Sequence, residues 1–114
     1  MEYKCDLYDD MLVISLKADL DHHLANQLRD EIDKYITEGK THKLLFDFEQ
    51  VGFMDSSGIG LIMGRYRKME GKGTIAVSGV HFGVKRILEI SGLHKLVRQF
   101  CTLGEATEYL QEVK

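Results

Sequence analysis

Apolar residues change their spacing several times along the chain, and each change marks an element. Tyr3, Cys5 and Leu7 alternate with polar residues, Asp9-Asp10 offers a turn, and Leu12, Ile14 and Leu16 alternate again through Met11 to Lys17. A period of two belongs to strands, so this opening predicts a hairpin. From 22 to 38 the period lengthens. Leu24, Leu28, Ile32, Tyr35 and Ile36 share one side and Arg29, Asp30, Asp33 and Lys34 the other. That is a helix, with Asp21 placed to cap its start and Gly39 to close it. Lys43 to Phe48 is a compact apolar run, as expected of a strand covered on both faces. A second helix spans about 56 to 70 through Ile59, Ile62, Met63, Tyr66 and Met69, and Gly71-Lys72-Gly73 breaks it.

Residues 74 to 77 predict another buried strand, and 81 to 91 a helix with Val84, Ile87 and Leu88 inward and Gly92 as its stop. A last short strand falls at 96 to 100. Thr102 and Glu105 then form a capping box for a final helix carrying Ala106, Leu110 and Val113. The order β-β-α-β-α-β-α-β-α implies an α/β fold with a parallel or mixed sheet and helices against it. Right-handed crossovers bring the C-terminal ends of the parallel strands to one edge, where function collects in open α/β sheets. Three loops, 18 to 22, 53 to 58 and 78 to 81, are expected there, bearing Asp19, Asp21, Asp55, Ser56, Ser57 and Ser78.

Composition narrows the classes. A chain of 114 residues suits one domain, here 1–114, and 44% hydrophobic with 29% charged residues is the balance of a globular protein rather than a disordered one. A net charge of −3 gives no basic surface for nucleic acid. No apolar run approaches the ~20 residues that span a bilayer, and the N-terminus lacks the apolar core of a signal peptide. A cytoplasmic protein with no membrane or nucleic-acid partner is expected. Cys5 and Cys101 lie near opposite ends without paired spacing, which predicts reduced structural thiols.

The segment Phe53-Met-Asp-Ser-Ser-Gly-Ile-Gly60 carries the most chemical information. It sets an acid, two serines and two glycines at a helix start. Capping explains part of it: Ser56 is expected to accept backbone N–H groups, a contribution of about 1 kcal/mol, with Asp55 favoured by the helix dipole. Gly58, Gly60 and Gly64 in one helix, each costing roughly 1 kcal/mol against alanine, call for a further reason such as a close approach. A sparsely covered helix N-terminus suits a phosphate. Phosphoserine there would add about −1.5 to −2 charges beside Asp55, an off-switch for any apolar or acidic contact. Physics alone does not choose between Ser56 and Ser57.

Leu20-Asp21-His22-His23, Met54-Asp-Ser-Ser-Gly58, Gly64-Arg65-Tyr66, Val84-Lys85-Arg86-Ile87 and Ser91-Gly92-Leu93 together resemble the anti-sigma F factor antagonists (stage II sporulation protein AA) of endospore-forming bacteria. These are anti-anti-sigma factors of the STAS class, and the resemblance covers nearly the whole chain. It implies a single STAS domain: a mixed sheet of about five strands with about four helices mainly on one side. It implies a non-enzymatic switch without a cofactor. The unphosphorylated form would bind an anti-sigma factor that is also a serine protein kinase and so release a sporulation sigma factor. The kinase would phosphorylate the first serine, Ser56, and a serine phosphatase would restore it. The resemblance also places Asp21, Asp55, Ser57, Gly58, Ile59 and Ile87 around the phosphosite and partner surface. One departure is Ala18, where the family often has glycine.

Other classes compete for the same residues. A serine hydrolase needs a base in reach of its nucleophile, and Ser56 is not in a Gly-x-Ser-x-Gly elbow, though His22, His23 and His81 share the expected edge. His22-His23 as a metal site is disfavoured because adjacent helical residues point about 100° apart. Weak nucleotide binding at the helix start lacks a phosphate-binding loop motif. A STAS scaffold, or an antagonist in a general-stress sigma pathway, would carry the same core.

Overall fold

The computed structural model describes residues 2–113. Asp9, at φ 56°, turns the chain between β1 (Tyr3–Tyr8) and β2 (Met11–Leu16), which pair antiparallel from Tyr3↔Leu16 to Tyr8↔Met11. The chain continues through α1 (His22–Thr37), β3 (Lys43–Asp47), α2 (Ser56–Lys68), β4 (Thr74–Ser78), α3 (Phe82–Ser91), a 3₁₀ turn at Leu93–Lys95, β5 (Arg98–Phe100) and α4 (Leu103–Glu112). The sheet order is β1-β2-β3-β4-β5, with every pair after the first parallel. This is the mixed five-stranded sheet and four-helix count expected from the sequence.

Alternation along the strands decides which helices cover which face. Leu12, Ile14, Leu44, Phe46, Ile75 and Val77 join the stripes of α1, α2 and α3 in one continuous core. The opposite residues, Met11, Val13, Leu45 and Ala76, pack under Ala106 and Leu110 of α4. The alternation through β2 suggests a strand with one buried face. Both faces are in fact covered, because α4 returns across the back of the sheet.

Boundaries differ where local geometry intervenes. Asp21 caps α1 by accepting the Leu24 N–H at 2.9 Å, and Gly39 follows its last turn at φ 71°. The second helix stops at Lys68 rather than near 70, since Glu70 and Gly71 both have positive φ. The last strand starts at Arg98 rather than 96 because the N–H groups of Leu96 and Val97 both turn back to Leu93 O, at 2.8 and 3.1 Å, closing the 3₁₀ turn. Thr102 and Glu105 make the capping box in both directions.

Candidate functional site

The loops that precede α1 and α2 are stitched together by their backbones. Leu20 N–H donates to Phe53 O at 3.1 Å, and Asp55 N–H donates to Leu20 O at 3.2 Å. These bonds make a parallel bridge between Leu20 and Met54, two residues with no exposed surface. Asp19 reinforces the junction: its Oδ1 accepts from Gly52 N–H at 2.9 Å and Phe53 N–H at 3.1 Å. Two helix N-termini therefore emerge side by side at the C-terminal edge of the sheet.

At the start of α2 the capping residue is Asp55, not Ser56. The Asp55 carboxylate accepts the Ser57 N–H at 2.8 Å, and its backbone is extended at φ −94° and ψ −172°. A carboxylate caps as well as a hydroxyl and also meets the positive end of the dipole. Ser56 is left as the first helical residue, exposed and without a capping task. Gly58 lies directly over the bridge: a Cβ there would sit 2.7 Å from Met54 Sδ and 3.0 Å from Leu20 Cδ2. The close approach expected of the glycines is real at this one position. At Gly60 and Gly64 a Cβ would meet nothing within 4 Å, so sterics explain neither.

The two serines face different surroundings. Ser56 stands on the rim of an open groove between α2 and α3, floored by Met54 and lined by Phe53, Ile59, Ile87 and Ile90. Its walls are largely apolar, with Phe53 53% and Ile90 75% exposed, and Phe82 at the head of α3 is 78% exposed. Such side chains on a small protein mark a contact surface when they cluster. Ser57 turns the other way, with its Oγ 3.4 Å from His22 Nδ1. The serine that meets a histidine is thus Ser57 and not Ser56.

Asp21 and Asp55 flank the junction as caps, while Ile59 and Ile87 line the Ser56 groove. Phe53, the first residue of the serine segment, and Ile90, which no motif marks, complete that groove. Ile90 carried a signal: it lies three residues after Ile87, off the buried Val84–Leu88 stripe. Ser78 does not belong to this edge surface, because its side chain is fully buried. His22 and His23 diverge, meeting Asn26 and Gln27 respectively, as their angular separation requires. Among the described residues, no helix is long and apolar enough to cross a membrane.

Residues 4–106 match the STAS domain family. The chain belongs to that family. Among relatives of this STAS domain, an anti-sigma F factor antagonist of Paenibacillus polymyxa is 36% identical over 88 residues, 76% of this chain and 75% of the relative. The anti-sigma factor antagonist SpoIIAA in its unphosphorylated form superposes with a TM-score of 0.81 at 26% identity, covering 97% of this chain and 99% of that one. The Bacillus cell-fate determinant SpoIIAA in its phosphorylated form gives 0.77 at 30% identity, over 94% and 97% of the two chains. The STAS domain here is thus similar to anti-sigma factor antagonists in both sequence and fold.

Proposed function

We propose that this protein is an anti-sigma factor antagonist acting in the cytoplasm and switched by phosphorylation at Ser56. Unphosphorylated, it binds an anti-sigma factor that is also a serine protein kinase, through the groove of Phe53, Ile59, Ile87 and Ile90, and frees a sporulation sigma factor. The observation that carries the reading is the position of Ser56: exposed, uncommitted to capping, and on the rim of an apolar contact surface. A phosphate of about −1.5 to −2 charges on that rim, beside Asp55, makes burial against a partner costly by desolvation and like-charge repulsion. The helix dipole meanwhile lets the free protein tolerate it. A serine phosphatase reverses the step. The protein itself is a regulator, not a catalyst.

The test is incubation with the cognate kinase and ATP, followed by phosphosite mapping and calorimetry. One phosphate at Ser56 is expected, with Ser56→Asp weakening partner binding and Ser56→Ala preserving it. Because Ser56 is not the cap, Ser56→Ala leaves stability within about 0.5 kcal/mol. Equal affinities for the two variants would move the chain to the class of non-switching STAS scaffolds.

A further inference from the structure

β1 stands at one end of the sheet, with β2 on one side and no strand on the other. Its register with β2 decides which backbone groups are left over. Lys17 N–H donates to Glu2 O at 2.8 Å, one step beyond the Tyr3↔Leu16 pair, so the even-numbered residues of β1 exchange their bonds with β2. Bonded and non-bonded pairs alternate along an antiparallel ladder. The N–H and C=O groups of Tyr3, Cys5 and Leu7 therefore point outward, and among the described residues no other segment supplies them a backbone partner.

An open edge of this length commonly carries a charged side chain that keeps other strands away. β1 carries two charges of opposite sign instead. Lys4 and Asp6 lie two residues apart, hence on one face, with their charged groups 3.5 Å from each other. Leu7 and Tyr8 add exposed apolar surface, at 36% and 57%. The opposite edge of the sheet, β5, is only the three residues Arg98–Phe100 and offers much less to pair with.

A second copy of β1, laid antiparallel about a two-fold axis at Cys5, matches this pattern. The outward groups of Cys5 then meet those of Cys5 in the second copy, and those of Tyr3 meet Leu7, so donors face acceptors throughout. Tyr3 against Leu7 is an aromatic–aliphatic cross-strand pair. Between them, Lys4 of each copy falls opposite Asp6 of the other, in the non-bonded pairs where side chains come closest. The same charges fix the register. A two-residue slip one way sets Lys4 against Lys4, and the other way Asp6 against Asp6, and like charges directly opposite repel. A one-residue slip sets the outward groups of one strand against residues whose own groups are already bonded to β2.

We infer that β1 is a self-complementary edge through which two copies of this chain join into one continuous sheet. A two-fold pairing closes on itself, so association stops at the dimer. One strand per copy makes a small interface, and the dimer is reversible and concentration-dependent. β1 contributes no residue to the groove at Ser56, so each dimer carries two such grooves and the inference does not depend on the switch.

The experiment is sedimentation equilibrium of the whole chain over a concentration series, at low salt and under reducing conditions, with amide exchange followed in ¹H–¹⁵N spectra. A reversible dimer is expected. The amides of Tyr3, Cys5 and Leu7 should gain protection as concentration rises, while those of β5 do not change. Asp6→Lys and Lys4→Asp should each weaken the dimer about tenfold or more, because each converts both cross-strand pairs into like-charge pairs. Mixed in equal amounts, the two variants should associate again, since every lysine then faces an aspartate, and that rescue also shows that both have kept the fold. A chain that stays monomeric at every concentration overturns the proposal and leaves the edge to a strand of another protein. A dimer protected elsewhere than β1, or variants that associate no better mixed than alone, overturns it too.

Discussion

Replacing Gly58 by alanine isolates the packing that holds the start of α2. The same change at Gly60 and Gly64, in the same helix, supplies the control. At all three positions alanine recovers helix propensity, at most about 1 kcal/mol each. At Gly60 and Gly64 nothing opposes that gain, since an added Cβ meets no atom within 4 Å. At Gly58 the Cβ would press on Met54 and on Leu20 Cδ2 at 3.0 Å. Met54 cannot yield freely: it is fully buried and its backbone is bridged to Leu20. Overpacking of this kind costs about 1–3 kcal/mol. Gly58→Ala should therefore be less stable than Gly60→Ala by that amount, and between neutral and about 2 kcal/mol less stable than the unaltered chain. Urea unfolding reads the difference directly. With an m-value of about 1–3 kcal/mol/M, each 1 kcal/mol moves the midpoint by roughly 0.3–1 M. If Gly58→Ala gained stability alongside Gly60→Ala and Gly64→Ala, the crowding argument at Ser56's own helix turn would be wrong.

Three further outcomes follow from named contacts. Asp55→Ala removes the acceptor of Ser57 N–H and should cost about 1 kcal/mol in urea unfolding, more than Ser56→Ala at the neighbouring position. Asp33→Ala strands the guanidinium of Arg65, whose side chain is 9% exposed, and should cost about 3 kcal/mol, the low end for breaking a buried pair because Asp33 is itself 26% exposed; adding Arg65→Met should recover much of it. The phenol of Tyr3, donating to Glu31 Oε1 at 2.7 Å, is pushed up to about 12 from 10.0, chiefly by that hydrogen bond. A raised folded value stabilises fully below the unfolded value, so this contribution is complete below about pH 10 and fades as pH rises through 12. Tyrosinate absorbance should show one late-titrating phenol that Tyr3→Phe removes, and an unchanged titration would contradict the bond.

Most of the fold is legible in periodicity because burial sets it. The stripes Leu24–Leu28–Ile32 and Val84–Leu88 and the alternation of β2 name the core face of each element without any knowledge of its neighbours. What periodicity misses depends on partners distant in sequence. Val13 and Met11 look like the exposed side of a half-buried strand until α4, some ninety residues later, lies across them. Ser78 looks like an edge hydroxyl and is fully enclosed. The cap of α2 lies one position before the serine that the sequence favours, for a similar reason. Asp55 and Ser56 are both good caps, and the choice falls to Asp55 because its own N–H is taken by Leu20 O in the loop before α1.

That one-residue shift has a consequence for how a switch can be built here. A capping serine has its oxygen turned back into the helix, where phosphorylation would forfeit a bond worth about 1 kcal/mol and fray the first turn. With Asp55 as the cap, the bond that closes the first turn does not use the Ser56 oxygen, and Gly58 packs that turn against Met54. Under the proposed phosphorylation, Ser56 would report its charge to the surface without transmitting it to the core. The adjacent Ser57, rotated about 100° onward, lines the groove between α1 and α2 instead, with His22, Arg29 and Arg65 rather than Ile59 and Ile87. Two neighbouring hydroxyls thus address environments of opposite character, and in the proposed switch it is the one beside the apolar groove, Ser56, whose charge would turn a partner away.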